Sequence, residues 1–301
     1  MPETRKLLIT ADDFGIGPET SRGILDLAAR RVLTSTVLLV TSPYAAEAVG
    51  LWRRAGGRPE LGWHPCLTLD RPILSPDRVP TLVDNEGQFH PLGTFLKRLL
   101  RGKLVRNEIE AEFRAQLRRF IELVGYPPSN VNAHHHVHIF GPIGDALRTV
   151  LADLNPKPHI RRVVEPWRTL ARIPGARVKR YALSVFGRRA GHRQTAAGFP
   201  PTDWVLGVTD PPYVKNPQFF QRWLKAAPGQ TVELTCHPGY LDATLDGRDG
   251  SLLDGQLHRR QRELELLRDP GFLTAVEDAG FQLVTASELF DRNPVRSRLA
   301  G

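Results

Sequence analysis

Lys6-Leu7-Leu8-Ile9-Thr10-Ala11 runs without interruption into Asp12-Asp13-Phe14-Gly15, and the reading of that junction decides the fold. A short apolar run bounded by a turn signal suits a buried strand, and the acidic pair stands where the run stops. The pattern recurs three times: Leu61-Gly62-Trp63 leads into His64, Val131-Asn132-Ala133 into His134-His135-His136-Val137-His138, and Thr231 to Cys236 into His237-Pro238-Gly239. Metal-capable side chains thus collect at strand ends. In an α/β barrel the loops at the carboxyl ends of the strands converge on one face, so residues distant in sequence meet in one site. A metallohydrolase needs that arrangement.

Outward from these junctions, β-rich runs alternate with amphipathic stretches, the signature of βα units and a mainly parallel sheet. Strands are expected at 6–11, 35–41, 60–65, 129–134, 159–164, 231–236 and 281–285, with a weaker one at 203–208. Helices are expected at 19–31, 44–55, 106–124, 142–154, 216–226, 259–268 and 271–279. The longest rests on Ile109, Phe113, Leu117, Phe120, Ile121 and Val124, spaced by threes and fours, and Gly125-Tyr126-Pro127-Pro128 ends it. The expected fold class is α/β: a (β/α) barrel-like, TIM-barrel-related single domain over 1–301, with its site at the C-terminal ends of the strands. Residues 66–105 and 168–215 break the rhythm and are expected to be insertions that shape the pocket.

A chain of 301 residues with 41% hydrophobic and 24% charged residues can bury a full core. It has neither an apolar stretch of signal-peptide length before the first strand nor a membrane-spanning run, so a soluble cytoplasmic protein is expected. Cys66 and Cys236 are too few for a disulfide framework; beside site histidines they are read as packing residues, with a metal-thiolate role as the alternative. The net charge of +9 makes nucleic acid the first partner to test. Because the basic residues are spread along the chain without a reading motif, no nucleic-acid partner is expected. Two stretches are denser, Lys97 to Arg106 and Arg177 to Arg189. The first interleaves leucines with cations and reads as a solvated helical face, or as a peripheral contact with an anionic membrane. A homo-oligomer is left open.

The acidic pair can split its labour: one carboxylate binds a metal while its neighbour stays free as a base. In the histidine run, an extended strand would put His134, His136 and His138 on one side; a helix would instead pair His134 with His138. His64 and His237 each follow a strand and precede a proline.

Thr10 to Gly15, Gly62-Trp63-His64 with Leu67-Thr68, Asn132 to His138, and Cys236 to Tyr240 resemble, in order, the motifs of the YdjC-like carbohydrate deacetylases. Gly280 to Thr285 resembles that family's last strand. The resemblance implies a barrel-like fold and metal-dependent removal of N-acetyl groups from amino sugars. It makes Asp13, His64 and His134 the ligands of one divalent metal ion, zinc or magnesium, with Asp12 the base and His237 the acid. One carboxylate and two imidazoles leave open positions for water and a substrate carbonyl. Arg162, at the expected end of the fifth strand, is a candidate to orient Asp12 through a bidentate pair, with Arg161 an equal candidate; His136 and His138 are candidates for substrate contact or support.

Asn132 stands where many members of that family carry an acid. Arg71 to Phe89 resembles the hopanoid-biosynthesis-associated branch, which implies an N-acetylglucosaminyl lipid as substrate; a soluble chitin fragment is the other expectation. The same donor set also suits another metal-assisted hydrolysis, such as phosphoester cleavage, or a non-haem iron reaction. A catalytically silent sugar- or lipid-binding protein is the third class.

Overall fold

The computed structural model describes residues 4–249 and 255–290. Eight strands make one sheet: β1 (Arg5–Phe14), β2 (Ser35–Leu38), β3 (Glu60–Trp63), β4 (Asn130–Val131), β5 (His159–Ile160), β6 (Trp204–Leu206), β7 (Thr231–Cys236) and β8 (Phe281–Leu283). Around them lie α1 (Pro18–Ala29), α2 (Ala45–Arg54), α3 (Leu92–Leu100), α4 (Arg106–Val124), α5 (Gly141–Leu151), α6 (Trp167–Arg172), α7 (Arg177–Ala196), α8 (Phe219–Ala226), α9 (Gln256–Arg268), α10 (Pro270–Asp278) and α11 (Ala286–Leu289). All eight expected strands are present, most of them shorter than the apolar runs that announced them.

The strand order is β5-β4-β3-β2-β1-β7-β6, and every pairing between named strands is parallel. The curled sheet nearly closes on itself. Val205, on β6, donates its N–H to the Val164 carbonyl beyond β5 at 2.9 Å. β8 departs from the regular barrel order. Leu7 pairs with Val232 of β7 on one edge of β1 and with Leu283 of β8 on the other, ahead of the point where β2 joins at Thr10. The length of β1 lets it serve all three neighbours.

Alternation along the strands sets up two unlike environments. Leu7, Ile9 and Ala11 of β1 join Val232, Leu234 and Cys236 of β7 in the main core beneath the helices. The opposite parity lines the barrel interior, where Thr10 lies against Thr235, and where the buried Glu233 sits one step below. Near Ala11 the register slips: Ala11 pairs with Thr36, but Phe14 pairs with Leu38. β1 therefore holds one extra residue, a bulge, and Asp13 takes the left-handed backbone at φ 65°.

The two irregular segments contain more helix than the sequence pattern announces. In the first, α3 buries Phe95, and the loop before it is tied to α4 by buried polar groups. Gln116 on α4 brackets Cys66, accepting from its N–H at 3.0 Å and donating to its carbonyl at 2.7 Å. The Glu112 carboxylate accepts the N–H groups of Ile73 and Leu74. In the second, α7 has no apolar stripe on its buried side and meets the barrel through glycine. A Cβ on Gly187 would stand 1.9 Å from the Val163 carbonyl oxygen, so α7 lies backbone against backbone on the segment after β5. Buried Arg180 holds the turn before α7, donating to Glu165 and to the carbonyls of Ile173 and Gly175.

Candidate active site

The bulge in β1 brings both adjacent carboxylates into one pocket with separate partners. Asp13 faces two imidazoles: His134 Nδ1 lies 3.1 Å and His64 Nε2 3.2 Å from the same oxygen, Oδ1. The two rings meet edge to face with centroids 5.5 Å apart. All three side chains are buried, and their ligand atoms lie within 4.8 Å of one another. His64 leaves the end of β3 and His134 follows β4, so neighbouring strands supply them.

Those donors fit a divalent cation. Ligand bonds of about 2.0–2.1 Å in a tetrahedral arrangement set donor atoms about 3.3 Å apart, close to the nitrogen–oxygen distances found here. His64 Nδ1 and His134 Nε2, the other nitrogens of the two rings, are buried without a hydrogen-bond partner. Asp13 Oδ2 accepts from Arg260 Nη2 at 2.7 Å, and the same nitrogen donates to Asp249 at 2.6 Å. Burial opposes ionisation of Asp13, but the Arg260 charge and the two histidines hold its carboxyl well below the usual range. His134 moves the other way. Burial disfavours its cation, yet the Asp13 carboxylate raises its pKa.

Asp12 sits in a closed set of donors. Arg161 grips it bidentately, Nη1 to Oδ2 at 2.6 Å and Nη2 to Oδ1 at 2.9 Å. Thr235 Oγ1 donates at 3.2 Å and Asn132 Nδ2 at 3.3 Å. Arg161 Nε donates in turn to Glu233 at 2.8 Å, and His159 Nε2 lies 3.2 Å from the other Glu233 oxygen. Burial works against the Asp12 charge, and Arg161 overcomes it, holding the carboxyl far below its ordinary value. Glu233 falls to about 2 despite burial, with Arg161 the largest lowering influence.

This corrects the assignment of Arg162. Inward and outward residues alternate along and beyond β5, so His159 and Arg161 point into the barrel. Arg162 lies instead against α7, where a Cβ on Gly191 would come within 2.9 Å of its Nε. Asn132 spends its amide on Asp12.

His237 enters from the end of β7, with Nε2 3.8 Å from Asp12 Oδ2. Its backbone N–H donates to Glu263 at 2.5 Å, and Arg259 donates to its Nδ1 at 3.2 Å. An arginine can only donate, so the neutral ring carries its proton on Nε2. Burial, then the Arg259 charge, lowers its pKa to about 4.

The histidine run is neither an extended strand nor an α-helix. It forms a tight 3-10 turn in which His135 and His136 both take left-handed backbone, φ 55° and 56°. Such strain in non-glycine residues gathers at functional sites. The turn directs His134 to Asp13. His138 is turned away from it: Nδ1 accepts the Ala133 N–H at 3.2 Å and Nε2 lies 3.0 Å from the Arg161 carbonyl, so the ring braces the segment that carries Arg161. His136 keeps a buried, unpartnered Nδ1, and burial together with the Arg161 charge holds its pKa well below the usual range. His135 pairs with Thr68 at 2.9 Å and, with His134 and Asp249, makes a second group spaced for a cation. Both cysteines are buried packing residues whose thiols are pushed up by burial, Cys66 to about 12; neither belongs to a candidate metal group among the described residues.

Sequence reasoning passed over Glu233, His159, Asp249 and Arg260. Glu233 and His159 did carry a signal, a charged or titratable residue at interior parity in a strand. Arg260 carried none, being one of several arginines on α9.

A family model described as YdjC-like protein matches residues 6–278. A carbohydrate deacetylase from Geobacillus stearothermophilus is 31% identical, covering 95% of this chain and 98% of its own. A chitooligosaccharide deacetylase from Serratia marcescens is 29% identical, covering 94% and 98%. A solved Enterococcus faecalis structure, titled for cellobiose-phosphate cleavage, superposes with a TM-score of 0.73 at 27% identity, covering 95% of this chain and 99% of that one.

Proposed function

The chain belongs to the YdjC-like protein family, and from that premise we propose that it is a metal-dependent hydrolase removing the N-acetyl group from an amino sugar. One observation carries the reading: two consecutive carboxylates are given opposite settings, Asp13 among nitrogen donors and Asp12 in a closed cage facing His237. A site that only binds sugar has no use for that division.

Asp13, His64 and His134 would hold the cation. When bound, it would polarise the acetamide carbonyl and make water more acidic. Their imidazole content favours zinc, with magnesium the other choice. Asp12 accepts a proton from the attacking water, and Arg161, Asn132 and Thr235 keep its lone pairs aimed while it does so. His237 rests as the neutral Nε2–H tautomer. Nε2 gives its proton to the departing amine nitrogen, and Asp12, 3.8 Å away, restores it. Water thus supplies one proton to the amine and a hydroxyl to the acetyl carbon. Arg259 on Nδ1 offsets the negative charge that builds on the ring as its proton leaves.

The substrate is an N-acetylglucosamine oligomer or an N-acetylglucosaminyl glycolipid of the hopanoid kind. Acetate release from both, by protein loaded with zinc or magnesium and with Asp12→Asn as control, tests the proposal. Acetate that disappears in the control supports it and chooses the substrate class; no acetate with either metal on either substrate overturns it.

A further inference from the structure

A strip of surface beside the site carries apolar side chains that the fold leaves in solvent. It starts on α6 with Trp167, 67% exposed, and continues on the first half of α7 with Val178 at 85%, Tyr181 at 65% and Phe186 at 41%. Positions 178, 181, 182, 185 and 186 follow the three-and-four spacing of one helical face. That face is turned outward, because α7 buries Arg180, Ser184, Gly187 and Gly191. The strip borders the catalytic pocket. Phe186 packs on Phe140, which closes the histidine turn, with ring centroids 5.4 Å apart.

Its charge is one-sided. Between Glu165 and Asp203 the chain contains eight arginines or lysines and neither aspartate nor glutamate. Arg168, Arg177, Arg188 and Arg189 are exposed among the apolar residues, and the Arg168 guanidinium lies over the Trp167 ring at 5.7 Å. A second copy of this chain on the strip would set arginine against arginine. A nucleic acid would leave the valine and aromatic rings without apolar partners. An anionic bilayer offers phosphate for the cations and an apolar layer for the rings.

We propose that α6 and the first half of α7 dock this protein on an anionic phospholipid membrane, with the mouth of the site at the bilayer surface. The stretch 97–106 turns Leu99 and Leu104 onto the core and leaves Leu100 and Val105 exposed, so Leu100 serves as the comparison position. The proposal rests on the deacetylase reading only for its consequence, that an N-acetylated amphiphile can present its sugar while its tail stays in lipid.

The test is co-sedimentation of the full chain with vesicles of phosphatidylglycerol and phosphatidylcholine, and with phosphatidylcholine alone, at low salt. Binding is expected only to the anionic vesicles, with a blue shift of tryptophan emission that Trp167→Phe removes. Val178→Glu with Tyr181→Glu should weaken partition by about tenfold or more, whereas Leu100→Glu on α3 should leave it within about twofold. Circular dichroism checks that the variants are folded. Failure to bind anionic vesicles overturns the proposal, as does binding that survives the double substitution, or self-association without vesicles that the double substitution abolishes. Vesicle binding is read without turnover, so a failure of the deacetylase reading would leave this result standing, and the reverse.

Discussion

Asp12 and Asp13 are neighbours in the chain, yet the regions they enter obey opposite rules. Around Asp12 every hydrogen-bond partner is a donor with a fixed place, and the set continues inward through Arg161 to Glu233 and His159. Around Asp13, nitrogen atoms crowd one oxygen while His64 Nδ1 and His134 Nε2 have no hydrogen-bond partner, the latter lying 3.7 Å from Asp249. Buried polar atoms are normally paired, so the first region is built to hold one charge in one place and the second to accept something more. On the proposed reading, the site keeps its base rigid and its cation exchangeable within a few ångströms.

The largest expected effect separates the two regions directly. Asp12→Asn should lower turnover by about 10²–10⁴-fold while titration calorimetry still detects metal binding. Asp13→Ala should lose both. Equal metal loss in the two variants would break the comparison.

Removing the cation of the closed region should instead cost stability. Arg161→Met leaves Asp12 and Glu233 buried without their shared partner, at about 3–5 kcal/mol, measurable by urea denaturation. If stability is unchanged, the closed region is not the rigid half. A weaker effect is expected with acid. The Glu233 pKa is depressed from 4.5 to about 2 on folding, so its contribution is present above about pH 4.5 and is lost as pH falls towards about 2. Glu233→Gln should flatten that part of the stability profile; an unchanged profile would place the acid sensitivity elsewhere. The smallest effect belongs to the thiols. Cys66→Ala and Cys236→Ala should each leave metal affinity within about twofold, and a larger drop would add sulfur to the exchangeable half.

How legible this was in the sequence depends on the range of the interaction. Apolar runs ended by Asp12-Asp13, His64, His134 and His237 gave away the strands and the place where these side chains converge, because burial and chain exit are local properties. The helix at 106–124 was readable to its last residue, since the apolar stripe and Gly125 mark both its face and its end. α7 was not, because it packs through Gly187 and Gly191 and its apolar residues face outward rather than onto the barrel. Arg161 and Arg162 could not be separated in advance, since the choice rests on the parity of a two-residue strand. The contact from Arg260 to Asp13 spans 247 positions, and nothing near either residue announces it. His135 and His136 adopt a conformation that the rules for strands and helices do not contain.

The bulge at Asp13 works as a frameshift in the strand. Phe14 joins Leu7, Ile9 and Ala11 in the outer core, although counting by twos from those residues would have sent it into the barrel. One inserted residue thus resets which side is inside. Substituting Asp13 leaves that frame intact and removes only a side chain. Deleting it would restore the regular count with Phe14 still opposite Leu38 and still on the outer face, so the strand has room to lose this residue without turning its core, and what would vanish is the carboxylate together with the kink that aims it.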